Sequence, residues 1–148
     1  MAIEERTILK AQDYASYDSE ALLMLLGKQE QVKDRQAWAF ADPGFDPAYD
    51  TAMMGALDGV KAAGIRVMNR WSKELYQLVC GSGENQARDE LMEALNLGET
   101  AAIAAVASLL LAIAPAAVAA PLSVLLVKSF VLPAKDELCL VWREQIET

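Results

Sequence analysis

Apolar residues recur at steps of three and four along nearly the whole chain. No stretch alternates apolar and polar residues long enough to suggest a strand. Such a period places one stripe of side chains on one side of a helix, so the pattern predicts an all-α protein. Residues 3–14 read as a short helix within a possible arm over 1–16, with Ile3, Ile8 and Leu9 as its strong apolar side chains. Asp18 or Ser19 is suited to cap the next helix, whose stripe runs Leu22, Leu25, Leu26, Gln29 and Val32, with Trp38 and Phe40 near its end. "ADPGFDPAYD" then breaks the pattern and predicts a loop over 41–46, with Asp46 as cap and Pro47 in the first turn that follows. The longest helix is expected from about Pro47 to Cys80, stopped by Gly81. Its stripe is Tyr49, Met53, Leu57, Val60, Gly64, Val67, Trp71, Leu75 and Leu78. A loop over 81–85 leads into a short helix with Leu91, Met92 and Leu95 inward and Gly98 just past its end. The last helix is expected to start near Pro133, with Asp136 and Glu137 in its first turn and Leu138, Val141, Trp142 and Ile146 facing inward.

One segment does not follow the amphipathic rule. Ala101 to Val127 carries no charge, and a bilayer core needs about 20 apolar residues in a helix. Three features favour burial in protein over lipid. Pro115 and Pro121 interrupt the segment, and a proline inside a helix costs about 3 kcal/mol. Eleven of its 27 residues are alanine, which adds little insertion energy and suits close helix packing. The flanks carry acids before (Glu90, Glu93, Glu99) and bases after (Lys128, Lys135, Arg143). That charge order would force about 100 residues of amphipathic helix across the membrane. The segment therefore predicts two buried helices, Thr100–Ala114 and Pro121–Leu132, joined by "PAAVAA". The expected architecture is a single domain over 1–148, a bundle of five or six helices with a central apolar hairpin at 100–132. Two all-apolar helices are many for so small a domain, so a second copy of the chain is expected to cover part of them.

Composition narrows the function. With 148 residues, 54% hydrophobic and 23% charged, the chain can bury a core and is not a disordered type. A net charge of −8 argues against nucleic acid as a partner. The basic residues Arg66, Arg70 and Lys73 read as the solvated face of a helix. Cys80 and Cys139 each sit among apolar neighbours and are expected to be two buried thiols. With an N-terminus that lacks an apolar signal core, this suggests a reducing, cytoplasmic setting.

The catalytic inventory is thin. The chain has no histidine, which removes Ser-His-Asp and Cys-His mechanisms, and it has no Gly-rich phosphate loop. Cys80 has no base to serve it. Asp42, Asp46 and Asp50 are wrongly spaced for a calcium loop. Glu90 and Glu93 share a helix face and are weak candidates for a hard cation, but no second acidic pair faces them from another helix. Trp38, Trp71 and Trp142 all fall on apolar stripes and are expected in the core. Gly55, Gly59 and Ala63 form a row of small residues, which with Gly64 predicts a close helix crossing and a candidate interface. The expectation is a non-enzymatic module without cofactor, acting by apolar helix–helix burial with itself or a protein partner. The alternatives are a protein that inserts residues 101–132 into a membrane, and a metal-dependent hydrolase using Glu90 and Glu93.

Overall fold

The computed structural model describes residues 3–32, 37–47, 57–81, 86–132 and 137–147, and every element among them is helical. In chain order they are α1 (Ile3–Tyr14), α2 (Ser19–Val32), a short 3₁₀ helix (Ala37–Ala41), α3 (Leu57–Cys80), α4 (Gln86–Leu97), α5 (Glu99–Leu111), α6 (Ala116–Leu126) and α7 (Leu138–Glu147). A π-helical segment, Val127–Val131, extends α6. The described residues thus hold seven α-helices, one more than the upper expectation of six, because α1 occupies the predicted arm. It packs on α5 and α6. Its inward face is Thr7, Ala11 and Tyr14, whereas Ile3 and Leu9 are exposed. Thr7 and Ala11 are small there, and the Thr7 hydroxyl donates to the Ile3 carbonyl at 2.7 Å rather than staying unpaired in the core.

The α2 stripe is buried as its spacing predicts: Leu22, Leu25, Leu26, Gln29 and Val32 all face inward. Asp18 supplies the cap, accepting the Ala21 backbone N–H at 2.7 Å. The principal partner of α2 is α3. At their crossing a Cβ on Gly27 would lie 1.9 Å from the Val60 carbonyl oxygen, and one on Gly64 would lie 1.9 Å from the Leu23 carbonyl oxygen. Two glycines, one on each helix, therefore set the separation.

Helix α6 is the centre of the molecule. All of its residues are buried, enclosed by α1, α2, α3, α5 and the 3₁₀ helix. Fully burying each of Leu122, Leu125 and Leu126 contributes about 1.5–3 kcal/mol. An all-apolar helix gains this only when every side of it is covered, and here a single chain covers it. Helix α5 shows one buried face, Ala102, Ile103, Val106, Ala107 and Leu110, with half-buried residues opposite. The apolar hairpin is therefore present, but only its second arm is wholly interior.

The predicted joint "PAAVAA" is a correction. Only Ala112–Ala114 form a turn; Pro115 is the N-cap of α6, with φ −62° and ψ 153°, and Pro121 lies inside the helix. At the cap a missing N–H costs nothing. Inside the helix Pro121 leaves the Ala117 carbonyl without its i+4 donor. The Gln29 side chain replaces that donor, its Nε2 reaching the Ala117 oxygen at 2.9 Å. A side chain of α2 thus makes the mid-helix proline tolerable.

At the other end, Lys128 donates to the Ala15 carbonyl at the end of α1. Helix α7 docks on α3, its buried Trp142 donating from Nε1 to the Ser72 hydroxyl at 2.8 Å and meeting the Tyr76 ring edge-on at 5.9 Å. Cys80 and Cys139 are joined in a disulfide across 59 positions, which corrects the expectation of two thiols. Each lies at an end of an element, Cys80 closing α3 and Cys139 in the first turn of α7, and docking of these helices brings their Cα atoms to 5.8 Å.

Candidate functional site at Gln29

A cavity of about 300 Å³ opens between α2, the 3₁₀ helix, α3 and the start of α6. Its floor is Leu26, Gln29, Val67 and Val118, all buried. Phe40, Trp71 and Glu30 are half-buried walls, and Ala37, Arg70 and Pro115 stand exposed at the mouth. The elements place these residues for simple reasons. Leu26 and Gln29 are neighbours on the α2 stripe, and Val67 and Trp71 are one turn apart on α3. Ala37 and Phe40 are three residues apart, the repeat of a 3₁₀ helix, so they share the side that borders the cavity, while Ala39 is its buried residue. Pro115 and Val118 begin α6. The Arg70 guanidinium lies 4.9 Å from the Trp71 ring centroid, a cation–π contact that holds one flank of the mouth.

Gln29 is the polar centre of the site. Its Nε2 donates to two carbonyls, Phe45 O and Ala117 O, each at 2.9 Å. Both amide hydrogens are thereby used. Reversing the amide would set its oxygen against two carbonyl oxygens, so the partners fix which atom is which. Its Oε1 is buried and accepts no hydrogen bond among the described residues. The loop beyond is pinned around the same residue. The Phe45 ring packs against Phe40 at 5.3 Å with the two planes tilted by 56°, Lys28 pairs with Asp46 at 2.6 Å, and Asp42 accepts the Gly44 N–H at 2.9 Å. These contacts employ Asp42 and Asp46 in turn and ion-pair roles; Asp50 lies outside the described residues.

The residues singled out from the sequence are dispersed. Gly59 is exposed, and a Cβ there would meet nothing within 4 Å. Ala63 is buried within its own chain, and Gly55 lies outside the described residues. Gly59 and Ala63 do not share one surface, because a four-residue step drifts around the helix and carries the second of them from solvent toward the core. The close approach foreseen for these glycines is made by Gly64, with α2. Glu90 and Glu93 are exposed on α4, and Glu90 accepts from Gln86 Nε2 at 3.0 Å. Among the described residues no group of three or more His, Cys, Asp or Glu side chains converges as a metal site would require. Arg66, Arg70 and Lys73 are all exposed on α3.

The three tryptophans part company. Trp142 is core, Trp71 is a cavity wall, and Trp38 is 81% exposed, which overturns its expected burial. The α2 stripe ends at Val32, and Trp38 belongs to the separate 3₁₀ helix, whose different pitch turns it outward. The sequence marked Gln29 only as one step of a stripe. The signal for more was a polar residue in an apolar position, which is informative when buried. Among the described residues no helix is long and apolar enough to cross a membrane. Comparison of the chain with family models, curated proteins and solved structures returns no match.

Proposed function

We propose that the chain is a non-enzymatic helical assembly module that recognises a second copy of itself by apolar burial at the cavity face. The observation that carries this reading is the cavity itself. It is about 300 Å³ in volume, and Leu26, Val67, Val118, Phe40 and Trp71 give it a largely apolar lining in which Gln29, Glu30 and Arg70 are the polar members. A binding site has this composition: a largely apolar lining and a small number of placed polar groups. The reading assigns the module no cofactor and no nucleic-acid partner, in keeping with its net charge of −8.

The exposed surface of the hairpin is a weaker basis for assembly, because α6 is already covered within one chain. Membrane insertion of residues 101–132 draws no support from the helix lengths. The disulfide favours an oxidising setting over the cytoplasm expected from the sequence, because reducing compartments keep thiols free.

Sedimentation of the purified chain without detergent, from about 1 μM to about 1 mM, tests the proposal. A shift from monomer to dimer is expected. Sulfate should strengthen it, by favouring apolar burial and by screening the repulsion of two acidic copies. A monomer over the whole range, with or without sulfate, would contradict it.

A further inference from the structure

Helix α7 lies on α3 and on the π-helical segment. Leu138 and Trp142 are its buried side chains, Cys139 and Val141 are half-buried, and Leu140, Arg143 and Glu144 face solvent. Its side chains join α3 along one seam. Ser72, Tyr76 and Cys80 are four residues apart and share a face of α3, while Cys139 and Trp142 are three apart on α7. Trp142 donates from Nε1 to Ser72 at 2.8 Å, its ring meets Tyr76 edge-on, and Cys139 is bonded to Cys80. A helix of ten residues falls short of the about 12–15 at which an isolated helix begins to hold in water. Off α3, α7 therefore loses its helix, so its folding and its docking are one equilibrium.

The disulfide governs that equilibrium. It ties the last residue of α3 to the first turn of α7, so while it is closed the start of α7 cannot leave. The interior does not depend on α7 in the same way, because α1, α2, α3, α5 and the 3₁₀ helix enclose α6. Both cysteines are half-buried, and each has an exposed neighbour, Gly81 and Leu140. Access of this kind marks disulfides that exchange with thiols.

We propose that the Cys80–Cys139 bond is a redox latch on α7. Closed, it lets α7 open only with the whole fold; reduced by a dithiol, it lets α7 leave α3 while the rest of the bundle stays folded. A thiolate of the reductant attacks one sulfur, the S–S bond breaks, and the other cysteine leaves as a thiolate and takes a proton. The second thiol of the reductant then displaces the mixed disulfide. Cys80 and Cys139 end as two thiols and the reductant as a cyclic disulfide, two electrons and two protons having passed to the protein. Opening bares Leu138 and Trp142 together with the Tyr76 side of α3. The latch is independent of self-assembly.

Hydrogen exchange of the full chain by NMR, with and without dithiothreitol, tests this. The indole N–H of Trp142, held by Ser72, reports undocking of α7, and the amides of Val124 and Leu125 in α6 report global unfolding. Reduction speeds α6 as well, through the stability lost, so the measure is the gap in protection within each sample. In the oxidised chain Trp142 should match α6 to within about threefold. In the reduced chain it should be at least about tenfold less protected than α6, and low urea should speed α6 but not Trp142. The double variant Cys80→Ser, Cys139→Ser should show the wide gap with or without dithiothreitol. Equal protection of Trp142 and α6 in the reduced chain would overturn the latch, and so would a gap just as wide in the oxidised chain. Reduction only in denaturant would overturn it through access. Unfolding of the whole chain on reduction would make the bond a staple of the fold instead. If the double variant does not fold, the reduced parent still decides the matter.

Discussion

Glycine acts in opposite ways at three positions. At Gly27 and Gly64 an added methyl group would meet a backbone carbonyl at 1.9 Å, and backbone cannot step aside. Gly64→Ala must therefore part α2 from α3, and we expect a loss of about 3 kcal/mol or more in urea unfolding. Gly59 faces open space on the same helix. Gly59→Ala should gain about 0.5 kcal/mol from reduced backbone entropy. It should leave association unchanged, which separates Gly59 from the candidate interface read in the sequence. Tyr14 gives a prediction in pH. Burial foremost, then the charges of Asp46, Tyr17, Asp13 and Asp42, raise its phenol well above the ordinary value of 10.0. The folded chain keeps a proton that the unfolded chain releases. The stability linked to Tyr14 is thus complete below about pH 10 and is lost as pH rises from there through the folded value. The urea midpoint of the parent should fall more steeply above pH 10 than that of Tyr14→Phe; parallel curves would remove the linkage.

At the scale of elements, Pro121 and Gln29 are one device on two helices. The proline was visible in the sequence, and it suggested a helix start because a proline inside a helix is normally costly. Its compensation is 92 positions away in the chain (121 − 29), and no local pattern reports a contact of that separation. Gln29→Leu should cost about 2–4 kcal/mol, leaving the Phe45 and Ala117 carbonyls without donors. In a Pro121→Ala background an N–H returns to Ala117, and the same substitution should cost at least 1 kcal/mol less, by a double-mutant cycle in denaturant. The disulfide was illegible for the same reason. Two cysteines in apolar sequence look alike whether or not docking brings them together, and it is the placement of α7 on α3 by Trp142 and Ser72 that does so. Closing a loop of this length contributes about 4 kcal/mol in the chain-entropy picture, an upper figure. Reduction should lower stability by about 2–4 kcal/mol, and a thiol assay on unfolded, unreduced protein should find no free cysteine.

For the whole molecule, helical class, the buried α2 stripe and the apolar hairpin were legible, because they follow from a period that every turn repeats. The cavity was not, because Leu26, Val67 and Val118 come from three helices, and their spacing only marks them as inward. The sequence pointed to a second copy as cover for an excess of apolar helix. Yet α1, α2, α3, α5 and the 3₁₀ helix already enclose α6. The proposal of assembly thus moves from the hairpin to the cavity face between α2, α3 and the start of α6. This division of roles rests on α6 being interior in a single chain. Hydrogen exchange of the dilute protein, without detergent, tests that directly. The account predicts that amides of Val118–Leu126, Pro121 excepted, exchange slowest, near the limit of global unfolding, and that neither concentration nor lipid vesicles changes them. Fast exchange there, slowed only by a second copy or by vesicles, would contradict it.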